Sequence, residues 1–144
     1  MTKLLFAALA IAGGIAVATQ AAANAGLRAQ IGLGPALLVN TTIVLIGTIA
    51  LWLGLGAKTT FFPPGAAWTL YLGGFCGFVI IAALALAFPK LGAAWAVAMM
   101  VLSQGIAALL IDHFGLMGMP RDPITVSRVL GIAMVAGGVI LMKA

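Results

Sequence analysis

Long apolar runs, broken by short polar or turn-forming stretches, dominate the chain. A helix crosses the hydrocarbon core of a bilayer with about 20 apolar residues. Five runs meet that length, over residues 4–27, 35–56, 66–88, 91–115 and 124–142. Lys3 precedes the first and Arg28 follows it, Lys58 follows the second, Pro89 and Lys90 stop the third, and Lys143 closes the fifth. The links Gly32-Leu33-Gly34-Pro35, Phe62-Pro63-Pro64-Gly65 and Met119-Pro120-Arg121-Asp122-Pro123 carry turn signals. The pattern predicts an all-α membrane protein with a single five-helix transmembrane domain over residues 1–144. Because every link is short, successive helices should be antiparallel neighbours. Residues 1–23 also have the outline of a secretory signal, ending in Ala21-Ala22-Ala23. The length of the apolar run, with Gln20 and Asn24 set in it, favours a retained helix.

Composition sharpens the class. Of 144 residues, 65% are hydrophobic and 6% charged, and the mean hydropathy is +1.29. Soluble domains are apolar in roughly half their residues and charged in about a quarter, so a soluble enzyme, a nucleic-acid binder and a disordered segment are excluded. The net charge of +5 comes from seven Lys and Arg scattered singly. No basic cluster exists to follow a phosphate backbone, and the cations read as flanks of membrane spans. With five spans, Lys3, Lys58, Arg121 and Arg128 fall on one side and Arg28, Lys90 and Lys143 on the other. Orientation follows the Lys and Arg excess, which here is one residue. That balance leaves open both dual insertion and a single orientation with the N-terminus inside. The lone Cys76 lies within an apolar run, as a core or lipid-facing thiol.

Small residues recur at helical spacing as Ala8, Ala12 and Ala16, as Gly73 and Gly77, and as Ala133 and Gly137. Spans associate in lipid through the close approach that small residues permit, so a tight bundle that associates further is expected. Trp52, Trp68 and Tyr71 near the Lys58 loop, and Trp95 near the opposite surface, read as an interfacial aromatic belt.

Polar residues inside spans are costly and often functional. Gln20 and Asn24 are four apart and share a helix face. Asn40 lies early in the second span, and Ser103 and Gln104 fall near the middle of the fourth. Thr41, Thr42 and Thr48 can bond their own helix backbone. The amides serve either as interhelical bonds or as the wall of a solute pocket near the midplane. No acidic or basic residue lies in the middle of a span. There is no Ser–His–Asp set, no metal-ligand cluster and no phosphate-binding loop, so neither enzymatic chemistry nor a cofactor or metal is expected. Asp112 and His113 end the fourth span, where Arg121 or Arg128 can pair with the carboxylate as a structural helix-end anchor.

The stretch from Ala18 to Leu27, with its Gln-x-x-x-Asn element at Gln20 and Asn24, resembles the first span of the YdcZ family of the drug/metabolite transporter superfamily. Residues 103–115, with Asp112-His113-Phe114-Gly115, resemble its fourth span. Pro120-Arg121-Asp122-Pro123, Arg128 and the glycines 131, 137 and 138 resemble its last loop and fifth span. The resemblance implies a five-helix protein of the bacterial inner membrane and half of a ten-helix transporter. Two oppositely inserted copies would rebuild the whole, with substrate near the midplane between inverted halves. The combined expectation is an exporter of a small metabolite, acting as an antiparallel homodimer in the lipid bilayer. Gln20, Asn24 and Gln104 are the first candidates to line its pocket, with Ser103 and Asn40 next. The rival is an accessory subunit packed beside a larger membrane complex; a pore former fits less well, since only Lys143-Ala144 follow the last run. A cavity containing Gln20 and Gln104 would favour transport.

Overall fold

The structure is a computed structural model that describes residues 2–56, 65 and 67–143. Lys58, Phe62, Pro63, Pro64 and the expected start of the third span at residue 66 lie outside the described residues. Five α-helices account for most of the chain: α1 (Thr2–Ile31), α2 (Leu33–Gly54), α3 (Leu72–Leu91), α4 (Ala93–Phe114) and α5 (Val126–Leu141). Short 3₁₀ turns at Trp68–Tyr71 and Leu116–Gly118 precede α3 and follow α4, and no strand occurs among the described residues. Four helices are long and apolar enough to span a membrane. An unpaired backbone group in hydrocarbon costs several kcal/mol, and a helix satisfies all of them within itself.

Three boundaries differ from the sequence reading, each for a backbone reason. The first link shrinks to Gly32 alone, because α2 starts at Leu33 rather than Pro35. Pro35 sits in the first turn, where no intrahelical N–H is required. Gly32 has φ 88° and ψ 167° and Gly92 has φ 81° and ψ 150°, a region open essentially to glycine alone. The third helix does not stop before Pro89 but runs through it to Leu91. The fifth helix is shorter than its apolar run. Thr125, extended at φ −109° and ψ 158°, accepts a hydrogen bond from the Arg128 backbone N–H and starts α5 only at Val126. Its 16 residues give about 24 Å at 1.5 Å each.

The helices group into two compact units, Met1–Pro89 and Lys90–Ala144. In the first, α1 and α2 run back along each other from Gly32, as the contact of Gln20 with Asn40 across the turn requires. The buried residues gather at the Gly32 end: Ala21, Asn24 and Ala25 on α1, Ala36 and Leu37 on α2, and Leu84, Ala85 and Phe88 on α3. The other half of α1 and α2 is exposed, from Leu4 to Ile15 and from Ile43 to Leu53. The tight bundle expected from the small residues is therefore limited to one end of this unit. Ala8, Ala12, Ala16 and Gly73 are exposed.

In the second unit α4 and α5 pack antiparallel. Gly105 lies against Ile132, since a Cβ there would stand 2.7 Å from Ile132 Cδ1. At one end the Lys143 ammonium lies 5.8 Å from the centre of the Trp95 ring, a cation–π geometry. At the other end Arg128 pairs with Asp112 and Asp122. Ala133 and Gly137 are exposed, and a Cβ built at Gly137 meets nothing within 4 Å.

Candidate functional site

The site is built on the α1–α2 hairpin. Gln20 lies twelve residues before Gly32 and Asn40 eight after it, which sets them about 18 Å and 12 Å from the turn. Both therefore lie inside the apolar runs, away from the turn and from Arg28. Gln20 Nε2 donates to Asn40 Oδ1 at 3.0 Å, and both side chains are half-buried. Interhelical bonds of this kind contribute about 0.6–2 kcal/mol in a membrane. One such bond leaves most of the hydrogen-bonding capacity of two amides unused.

The pair lies at a cavity of about 430 Å³. Gln20 and Asn40 line it together with Thr41 and Val44 of α2 and Gly74, Gly77, Phe78, Ile80 and Ile81 of α3. The Thr41 hydroxyl donates to the Leu37 carbonyl at 2.8 Å, and Thr48 does the same to Val44 at 2.8 Å, so both are settled on their own helix as the sequence suggests. The cavity is thus a half-open, largely apolar recess with one polar corner. Pockets for small molecules have this composition, with few polar groups fixing orientation among apolar walls.

The remaining sequence candidates fall elsewhere. Asn24, one turn from Gln20, is 5% exposed, and its Nδ2 has no hydrogen-bond partner. It does not line the cavity. Ser103 and Gln104 lie on α4 in the second unit, both exposed, and the Ser103 hydroxyl donates to the Met100 carbonyl at 2.9 Å. Asp112 lies 3.8 Å from the Arg128 guanidinium, which also bonds Asp122. The Asp122 backbone N–H donates to the Asp112 carbonyl at 2.8 Å. Arg121 Nε donates to the His113 carbonyl at 3.1 Å, and His113 Nδ1 accepts from the Ile124 backbone N–H at 3.2 Å. These five residues therefore hold the chain between α4 and α5. Among the described residues no group of three or more His, Cys, Asp or Glu could hold a metal ion.

One residue outside the sequence candidates proves central to the packed end. Pro89 has no N–H, so within α3 the carbonyl four residues earlier, that of Ala85, loses its helical partner. Arg28 Nη1 donates to that carbonyl at 3.2 Å. Gln20, Asn24 and Arg28 thus form a polar line along one face of α1, running from the cavity to the clamp on α3. The signal was present in the sequence: a proline at the end of an apolar run frees a carbonyl that needs a donor. The walls supplied by Gly74 and Gly77, three residues apart, were legible only as generic small residues.

No curated protein and no solved structure shows significant similarity to the chain. One family model, described as "Putative inner membrane exporter, YdcZ", matches residues 5–141. The match takes in every described helix apart from the first residues of α1, including the Gln20–Asn40 corner and the Arg28 clamp. With four membrane-length apolar helices and a shorter fifth, the chain belongs to the YdcZ family, membrane transporters of the inner membrane.

Proposed function

We propose that the chain exports a small metabolite, and that Gln20 and Asn40 form the polar contact in its binding pocket. The observation that carries this reading is the cavity between apolar spans with a half-satisfied amide pair as its polar corner. An amide that served only to join α1 to α2 would not need an open chamber beside it. Asn24, one turn along α1, is buried with an unpartnered amide N–H, while Asp112, His113, Arg121 and Arg128 act as the helix-end anchor.

In this proposal one chain is a single five-helix domain and half of a transporter. The working unit is a homodimer of oppositely inserted copies, and Ser103 and Gln104 complete the solute path. Three features support it. The Lys and Arg balance across the membrane is four to three. Gln104 is an exposed amide in the middle of a span, costly against lipid and relieved by a second copy. Small residues at positions 73, 133 and 137 are uncovered, as interfaces between spans require.

The test is a solute uptake and efflux screen in membrane vesicles that contain the wild-type chain or Gln20→Leu. The variant should insert and accumulate normally, because it removes an amide without adding a charge. Its transport should fall at least tenfold, about 1.4 kcal/mol of lost solute interaction. Unchanged transport, or failure to accumulate, would favour a purely structural role for the amide.

A further inference from the structure

Resting on that reading, we infer that the Gln20–Asn40 pocket selects uncharged, mainly apolar solutes bearing a carbonyl next to an N–H, as in a carboxamide, lactam or ureide. The hydrogen-bond inventory leads there. Gln20 Nε2 donating to Asn40 Oδ1 uses one donor and one acceptor. The pair retains a carbonyl acceptor on Gln20, a second N–H on Gln20 and two N–H groups on Asn40. An apolar solute that covered these groups without pairing them would cost about 1–3 kcal/mol for each group left unmet. A solute amide edge meets both kinds at once: its N–H donates to Gln20 Oε1, and its carbonyl accepts from an Asn40 N–H.

Charged solutes fit poorly. None of the described residues lining the cavity carries a charge, and an unpaired ion in an apolar site is strongly disfavoured. An ammonium finds the Gln20 carbonyl, the remaining lone pair of Asn40 Oδ1 and a Thr41 oxygen, but no carboxylate to balance its charge. A carboxylate finds N–H groups but no cation. A lipid acyl chain fills the volume but leaves the amide corner unmet.

The room for the apolar body comes from α3. A Cβ built at Gly74 or Gly77 meets nothing within 4 Å, so side chains missing at these positions leave open the space beside Phe78. A cavity of about 430 Å³ lies within the range of small-molecule sites, about 300–1,000 Å³. The same open space makes the site easy to fill by mutation without disturbing the fold.

The experiment measures radiolabelled benzamide bound to the purified full chain in detergent micelles, competed by unlabelled benzamide, benzoate, benzylammonium or toluene. Benzamide should compete at least tenfold better than the other three. Gln20→Leu should weaken benzamide at least tenfold. Gly77→Leu should abolish its binding, with Gly77→Ala as the smaller obstruction should leucine disturb assembly. Competition by benzoate or benzylammonium equal to that of benzamide, still lost in Gln20→Leu, would overturn the neutral class while leaving the pocket as the transport site. Benzamide binding equal in the wild type, Gln20→Leu and Gly77→Ala would overturn both readings. Absence of binding above the micelle background, or displacement by added phospholipid alone, would overturn the solute assignment.

Discussion

The two ends of the α1–α2 hairpin differ in how they are held. Near Gly32, Ala36 on α2 and Ala85 on α3 are completely buried, and Ala21 on α1 is 3% exposed. At the far end Leu4 is 79% exposed and Leu53 67%. In water such an open end would close to hide its leucines. In a bilayer the lipid is as apolar as leucine, so apolar surface alone gives no reason to close. What packs the Gly32 end is the combination of alanines that let backbones approach with polar groups that need partners. Gln20 and Asn40 stand at the boundary, where the packed end gives way to the open one, and the cavity begins there.

If the open end is the side of the site completed by an oppositely inserted copy, fixing the orientation should have the largest effect. Two lysines added beside Lys58 should place all chains one way and abolish transport. Co-expression with an oppositely biased copy should restore it, and tag accessibility from each side of the membrane reads the orientation directly. A wild-type population accessible from one side only would break the antiparallel arrangement.

The next contrast sets a glycine of the packed end against one of the open end. Gly32→Ala forces a side chain into a glycine-only conformation and should destabilise by about 1–3 kcal/mol. Gly74→Ala adds a methyl into free space within a helix and should leave stability unchanged or raise it by up to about 1 kcal/mol. Thermal unfolding of the two variants in one detergent checks the difference. Equal losses would mean that the open end is as constrained as the turn.

A smaller effect isolates the clamp. Arg28→Met removes the donor to Ala85 and should cost about 1 kcal/mol. In a Pro89→Ala background the new backbone N–H can serve that carbonyl, and the cost of Arg28→Met should shrink toward zero. Undiminished cost in the double variant would assign Arg28 a role unrelated to the proline. The smallest effect is expected at Asp112→Asn. Its partner Arg128 keeps Asp122, and the Asp112–Arg128 pair is partly exposed, so the loss should stay under about 1 kcal/mol. The pH profile of transport should be preserved; its loss with full stability would make Asp112 a coupling group.

The sequence made the helices legible because run length and a near-absence of charge leave a membrane chain few alternatives. It was less informative about where they end. Pro35 and Pro89 both read as boundaries, yet one is harmless in a first turn and the other is carried through by Arg28. The fifth helix starts late because Thr125 caps it, a local hydrogen bond that apolar run length does not register. Gln20 stood out in the sequence as an amide set inside an apolar run. Asn40 ranked behind Asn24 and Gln104, because the rotation of α2 against α1 depends on the one-residue Gly32 turn. The aliphatic and glycine walls of the cavity carried no signal of their own, since such residues occur throughout the chain.

The most direct test of the cavity as the solute path is alkylation of a single engineered thiol. In a Cys76→Ala background, Gly77→Cys places a thiol on the cavity wall and Phe75→Cys places one on the exposed part of α3. N-ethylmaleimide should stop the transport that the Gly77→Cys protein retains, and transported solute should slow that reaction. The Phe75→Cys protein should be labelled with its transport intact. Complete labelling at position 77 with undiminished transport would contradict the account.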